Sequence, residues 1–303
     1  MRLTVPRVLM VLIGALLLTY AFAIAPTAMS GGEDGPSGRI EKAEQGAAAP
    51  SAPPRPAAEL FPPAGKAFIG VMTHEGPHDF TAVNVFTAAA KREPQVMLFG
   101  SGWASDTFDR TLFDQISSRG MLPMLAWEPW DYGLDKASRK KGFSARKIDR
   151  IRSDQPHYRL SRIARGSFDP YLLSWAQGIK SLDYPVAIRF GHEMNGDWYP
   201  WCETVNGNRP GDFVKAWRHV HNVFEAAGVK NVIWTWSPNV RWDDSTPKLS
   251  TLYPGDDYVD WIGLSGYYGA GGFSTYRSFD AIFNPTIKEI RTFTHKPLVI
   301  TET

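Results

Sequence analysis

The chain has 303 residues, 43% of them hydrophobic, and a net charge of +2 at pH 7. This is a globular composition, with nothing in the charge balance to favour nucleic acid or a membrane surface as partner. Eleven Trp exceed what a core of this size needs, so some are expected to line a cleft, and the lone cysteine, Cys202, excludes an internal disulfide.

Arg2 and Arg7 lead into an apolar run from Val8 to Ala25, with small-residue cleavage patterns at Ala21-Phe22-Ala23 and Pro26-Thr27-Ala28. Residues 1–28 therefore read as a secretory signal peptide, or as an uncleaved anchor, since the run is just long enough to span a bilayer. Either places the mature protein outside the cytoplasm, secreted or tethered. Residues 29–63 are Gly, Ala, Pro and Ser with scattered charges, including APSAPPRPAAELFPP, and read as a disordered or polyproline-like linker. The folded domain is expected over residues 64–303.

From there, short apolar runs alternate with helical patterns. The expected strands are AFIGVMT (67–73), QVMLFG (95–100), MLPMLAW (121–127), VAIRFG (186–191), NVIWTW (231–236), VDWIGL (259–264) and PLVITE (297–302). Helices are expected over Ala82–Arg92, Asp106–Arg119, Asp169–Leu182, Gly211–Ala227 and Arg277–Thr294. Asp169-Pro170 reads as an N-cap followed by proline at the first helical position. In the fourth helix Phe213, Trp217, Val220 and Phe224 share a face, and Gly228 ends it.

Strand–helix alternation implies a parallel sheet with helical crossovers. A nucleotide-binding doubly wound sheet would carry a Gly-rich turn after its first strand, and GVMTHEGPHDF has none. The fit is a (β/α)8 TIM barrel, with functional residues at the C-terminal strand tips. Seven strands are present and the chain stops one residue past Glu302, so the barrel's C-terminal strand and helices are expected to be missing from this sequence.

The chemistry gathers at Tyr184 to Trp201. A period-2 strand delivers Arg189, His192, Glu193 and Asn195, then Trp198, Tyr199 and Trp201. A lone Glu at a strand end is ordinarily a surface carboxylate. Glycoside hydrolysis, however, needs two carboxyl groups across the scissile bond, and Glu193 ends the fourth strand while Glu302 ends the seventh. Competing motifs fail. His192-Glu193 begins an HExxH zinc pattern, but Gly196 holds the second His position. Gly263-Leu264-Ser265-Gly266 falls short of a nucleophile elbow, because Tyr267 stands where the last glycine belongs.

RFGHEMNGDWYPW resembles the acid/base motif of glycoside hydrolase family 26, best known for endo-β-1,4-mannanases. WEPW after the third strand, WTWSPN at the fifth, YPGDDYVDWIGLSGY at the sixth and ITET at the seventh also resemble that family, in order along the chain. The resemblance implies Glu193 as acid/base and Glu302 as nucleophile of a retaining double displacement. It further implies His192 beside the cleavage point and Tyr267 hydrogen-bonded to the nucleophile. Trp127, Trp130, Trp198, Trp201 and Trp236 are candidate sugar platforms, since pyranose C–H faces pack on indole; core packing is the alternative for each. Asn195 and Glu128 are counted with the sugar-binding residues, Glu128 alternatively tying down its own loop. Arg189 is expected to point into the barrel below the acid, favouring an ionised carboxylate beside it or forming a structural ion pair.

The expectation is a secreted, monomeric endo-β-glycosidase acting on β-mannan or glucomannan, with no metal and no cofactor. Mixed-linkage β-glucan, β-1,3-xylan and a glycan-binding module without activity remain alternatives. One stretch lies outside the resemblance. Between Asp135 and Arg165 there are eleven Lys and Arg against three Asp, a local balance of +8 on the catalytic face. It reads as a solvated loop or as a basic rim that meets acidic groups on a polymer.

Overall fold

The computed structural model describes residue 62 and residues 65–241, 244–267 and 277–303. The leader and linker segments lie outside the described residues, Pro62 apart. The strands are β1 (Gly70–Val71), β2 (Val96–Gly102), β3 (Leu122–Glu128), β4 (Val186–Phe190), β5 (Val232–Trp236), β6 (Trp261–Ser265) and β7 (Leu298–Glu302). They form one parallel sheet in the order β1 to β7, each strand beside its successor in sequence. That walk, with helical crossovers, makes a nearly closed TIM-type barrel of seven strands. Between β1 and β7 lies a cleft of about 640 Å³, lined by Val71, Val96, Met124, Ile300 and Glu302 among others.

The helices are α1 (Thr81–Ala90), α2 (Arg110–Ser117), α3 (Tyr132–Lys140), α4 (Ala145–Ser153), α5 (Leu160–Ile163), α6 (Asp169–Lys180), α7 (Asp212–Ala226), α8 (Leu249–Leu252) and α9 (Phe279–Ile290). Each expected strand and helix is present. β1 shortens to two residues, and α6 begins at Asp169 itself, with Phe168 as its N-cap. The Asp169 carboxylate does not cap the helix; it lies 2.6 Å from His219 Nε2 on α7. Helices α3 and α4 have no counterpart among the sequence expectations. Each is strongly polar overall and buries only one residue, Ser138 or Ile148, so its apolar face is too small to announce it.

Period-2 alternation divides the core in two. Val96, Leu98, Met124, Ala126, Ala187, Ile233 and Trp261 fill the barrel interior. Their strand neighbours Met97, Phe99, Leu125, Trp127, Val186, Ile188, Phe190, Trp234, Trp236, Ile262 and Leu264 face the helical layer. There they meet Leu172, Trp175 and Ile179 of α6 and Phe213, Trp217, Val220 and Phe224 of α7. Burying each such large side chain contributes about 1.5–3 kcal/mol. α7 ends as expected, with Gly228 at φ +73°.

Gly178 in α6 lets Phe108 pack on the helix: a Cβ there would lie 2.3 Å from Phe108 Cδ1 and 2.4 Å from Cγ. Phe108 is held in turn against Phe113 and Trp175. Gly178→Ala is expected to destabilise the domain by about 1–3 kcal/mol through overpacking, outweighing the roughly 1 kcal/mol that Ala gains over Gly within a helix. Urea denaturation measures the change, and a stabilised variant would show that the Phe108 ring yields freely.

Candidate active site

The tip of β4 turns sharply. Gly191 has φ +52°, a backbone that favours glycine, and an added Cβ would press on Phe213 and Trp201 at 3.3 and 3.4 Å. Two residues on, Glu193 itself sits at φ +54°. A non-glycine residue held in the left-handed region stores strain, and such residues cluster at functional sites. The surroundings impose it: the Glu193 N–H donates to the Ser237 carbonyl at 2.7 Å, and the Glu193 carbonyl accepts from Gly196 N–H at 3.0 Å.

The Glu193 side chain is 7% exposed. Trp198 Nε1–H donates to Oε2 at 3.0 Å and Asn239 Nδ2–H to Oε1 at 3.0 Å. Burial raises its pKa above the ordinary carboxylate value, and the charge of Glu302 raises it further. Arg189 and the two hydrogen bonds pull the other way without reversing the outcome. The balance favours the protonated form of Glu193 relative to an ordinary carboxyl group.

Glu302, at the end of β7, is held differently. Arg189 Nη1 donates to its Oε1 and the Tyr267 hydroxyl to its Oε2, so both oxygens are acceptors. Arg189 is completely buried in the barrel, and its other nitrogens donate to Ser237 Oγ at 2.8 Å and Ser265 Oγ at 2.7 Å. One guanidinium therefore joins the tips of β4, β5, β6 and β7. Tyr267 is 39% exposed; burial and the neighbouring Glu302 raise its phenol, which stays a donor.

A third carboxyl group stands between these elements. Glu128 ends β3, accepts from Trp130 Nε1–H at 2.8 Å, and has Oε1 4.0 Å from His192 Nε2. Burial lifts it to about 7, with Trp130 and Arg189 opposing. His192 is buried beside Arg189, and both effects push its pKa well below the ordinary histidine value, so the imidazole is neutral. Its ring lies edge-on to Tyr199 at 5.2 Å.

Glu193, Glu302, His192, Arg189, Tyr267, Glu128 and Trp198 thus share one mouth, while the other five candidates are placed differently. Trp127 and Trp236 are completely buried and belong to the helical layer, because alternation turns them away from the interior that Glu128 and Arg189 face. Trp201 is completely buried as well, stacked on Tyr199 at 4.4 Å with Nε1–H on the His192 carbonyl at 2.6 Å. These three support the site from behind and offer no face to a sugar. Asn195 is buried and bridges loops, donating to the Asn239 carbonyl at 2.9 Å and accepting from Asn239 N–H at 2.8 Å. Trp130 is nearly buried with its N–H on Glu128, which leaves Trp198 as the platform candidate with an exposed portion. Sequence reasoning missed the site roles of Asn239, Ser237 and Ser265. The first two lie in WTWSPN, whose position at a strand tip was the available signal. Among the described residues, no group of three or more His, Cys, Asp and Glu is placed to hold a metal ion.

Two outcomes follow from this electrostatic arrangement. The Asn239 amide favours charged Glu193, so Asn239→Ala is expected to raise the Glu193 pKa further; ¹³C-carboxyl NMR titration reads it, and a downward shift would contradict the geometry. For Glu128, the unfolded chain releases its proton near the ordinary 4.5 and the folded protein near 7. The folded state holds the extra proton between those values, so stability falls as pH rises through that window and the loss is complete above it. Glu128→Gln mimics the neutral form. It is expected to stabilise the protein by about 1–3 kcal/mol near pH 8 and by nothing measurable near pH 4, as followed by thermal unfolding at both pH values.

Comparison with known proteins agrees with this geometry. The model of glycosyl hydrolase family 26 matches residues 157–297. Endoglucanase H of Acetivibrio thermocellus is 29% identical over 232 residues, covering 73% of this chain and 22% of that protein. Mannan endo-1,4-beta-mannosidase of Bacillus subtilis is 29% identical over 119 residues, covering 36% of this chain and 32% of the relative. The chain therefore matches a third or less of the length of these two relatives. The structure of GH26A from a Muricauda species superposes with a TM-score of 0.54 at 21% identity, over 80% of this chain and 78% of that one, and shares its fold.

Proposed function

Because the chain belongs to glycosyl hydrolase family 26, we propose that it is a retaining endo-β-glycosidase that cleaves β-mannan or glucomannan. The observation that carries this reading is the unequal treatment of two neighbouring carboxyl groups. Glu193 is buried and raised by Glu302, while Glu302 accepts from Arg189 and Tyr267 on both oxygens.

In this reading Glu193 gives its proton to the glycosidic oxygen as the bond to the anomeric carbon breaks. Glu302 attacks that carbon from the opposite face and forms a glycosyl ester. Glu193, now ionised, takes a proton from water; the resulting hydroxide displaces Glu302, and both groups return to their starting states. Arg189 and Tyr267 hold the nucleophile in line. His192, neutral and beside Glu128, donates to or accepts from a sugar hydroxyl without adding charge. Trp198 places its indole against a sugar ring while its N–H fixes the acid. The protein acts as a monomer, outside the cytoplasm, after export through residues 1–28.

Mannan as the polymer is supported by the Bacillus relative named a mannosidase. A β-glucan is the second reading, favoured by the larger share of this chain that matches the relative named an endoglucanase. Reducing-sugar release from glucomannan, mixed-linkage β-glucan and β-1,3-xylan separates the two. Release from glucomannan is expected, lowered about 10²–10⁴-fold in Glu193→Gln, with the first product in the β configuration by ¹H NMR. Binding without release, or release untouched in Glu193→Gln, would overturn the proposal.

A further inference from the structure

The basic segment after β3 is mostly helical, not a loop: α3 and α4 pack together and the short α5 follows them. Its +8 exceeds the chain's total of +2, so the remaining residues carry a net −6. Some of the cations have local work. Arg139 pairs with Asp135 at 2.7 Å, Arg152 with Asp149 at 2.7 Å, and Arg159 Nε–H donates to the Asn206 carbonyl at 2.7 Å. Among the described residues, Lys136, Lys140, Lys141, Arg146 and Arg150 have no carboxylate partner, and all five are exposed.

Helix stability does not account for all of them. Arg146 and Lys147 occupy the first turn of α4, the positive end of its dipole, and that turn contains no acidic residue. Lys147 lies over the Phe143 ring at 3.5 Å, whereas Arg146 has no such compensation. A residue that breaks a local rule without a structural return points to function.

The pair of helices is rooted in the mouth. At the start of α3, Asp131 N–H donates to Gln155 Oε1 at 2.8 Å, three residues past Glu128. At the end of α4, Arg152 Nε–H donates to the Trp198 carbonyl at 3.0 Å, and the Trp198 indole holds Glu193. A glycan that runs from the acid across Trp198 therefore comes upon α4. A patch of this sign on a chain otherwise net negative suits anionic groups delivered locally by a ligand already in the cleft. It suits less well a nucleic acid or a membrane, which would not be held in the cleft and would meet the whole surface.

We propose that α3 and α4 form a docking surface for carboxylate groups borne by the polysaccharide, so that the preferred ligand is a β-glycan carrying uronate-type substituents. This rests on the glycosidase reading of the cleft.

The test compares the full chain with a variant in which Lys136, Lys140, Lys141, Arg146 and Arg150 are all changed to Ser, by affinity electrophoresis in glucomannan and in carboxymethylated glucomannan. Salt is set at about 10 and then about 150 mM NaCl, to lengthen and shorten the reach of the charges. The unchanged protein is expected to bind the acidic polymer about tenfold more tightly than the neutral one at low salt, to lose that preference at high salt, and to lose it in the Ser variant. Unaltered binding of neutral glucomannan shows that the variant is folded, and Lys136→Arg with Lys140→Arg and Lys141→Arg retains the preference. Equal affinity for the two polymers, or a preference that survives in the Ser variant, overturns the proposal. Tighter patch-dependent capture of duplex DNA or of phosphatidylglycerol vesicles overturns it too. Preference without hydrolysis of either polymer would instead count against the glycosidase reading and leave the docking surface standing.

Discussion

Arg189 carries a positive charge to a place that water does not reach, and everything at the mouth of the barrel is arranged around it. A buried guanidinium is tolerated when each donor finds an acceptor and one partner brings a compensating charge. Ser237, Ser265 and Glu302 supply these from the ends of three further strands. The interaction thus fixes strand tips that are far apart in sequence. The space it needs is kept by small residues: a Cβ on Gly263 would fall 2.7 Å from Ser237 Oγ and 2.8 Å from Thr301 Cγ2.

The same charge makes the two glutamates unlike. Glu302 accepts directly from the guanidinium, while Glu193 meets it at longer range and is dominated by burial and by Glu302. The acid-assisted displacement proposed above needs two carboxyl groups made unlike in this way. Around them, Asn195, Asn239 and the Ser237 carbonyl bind the β4 loop to the β5 loop. The left-handed backbone of Glu193 is held by packing and not by its own preference.

The fold was largely legible in the sequence. All the strands announced themselves as apolar runs, and α7 showed both its buried face and its terminal glycine. Glu193, Glu302 and Arg189 were legible because carboxylates and a guanidinium at strand tips carry their own chemistry, whereas the roles of His192 and Tyr267 came from the family resemblance. The site was less legible for tryptophans, because indole serves a core and a sugar face equally well. Counting alternation from Arg189 or Glu128 would have sent Trp127 to the outer layer. Asn239 was hidden because nothing local distinguishes an amide that bonds a distant carboxyl group from one that faces solvent. Helices α3 and α4 were hidden because each is strongly polar overall and buries a single residue, which leaves few apolar positions to read.

Local pattern therefore determined, from sequence alone, the parallel strand–helix order, the strand tips on which acids and hydrogen-bonding residues fall, and the resemblance to a hydrolase family carried by RFGHEMNGDWYPW. These depend on spacing along the chain, which needs no partner to be read. Tertiary structure alone decided which carboxyl groups are raised, which tryptophan keeps an exposed portion, and that the basic segment is helical and tied to the acid loop. Each of those depends on burial and on charges brought together from distant parts of the chain, as Arg189 is to Glu302 across 113 positions. An electrostatic environment is a property of distance in space, and one-dimensional order does not contain it.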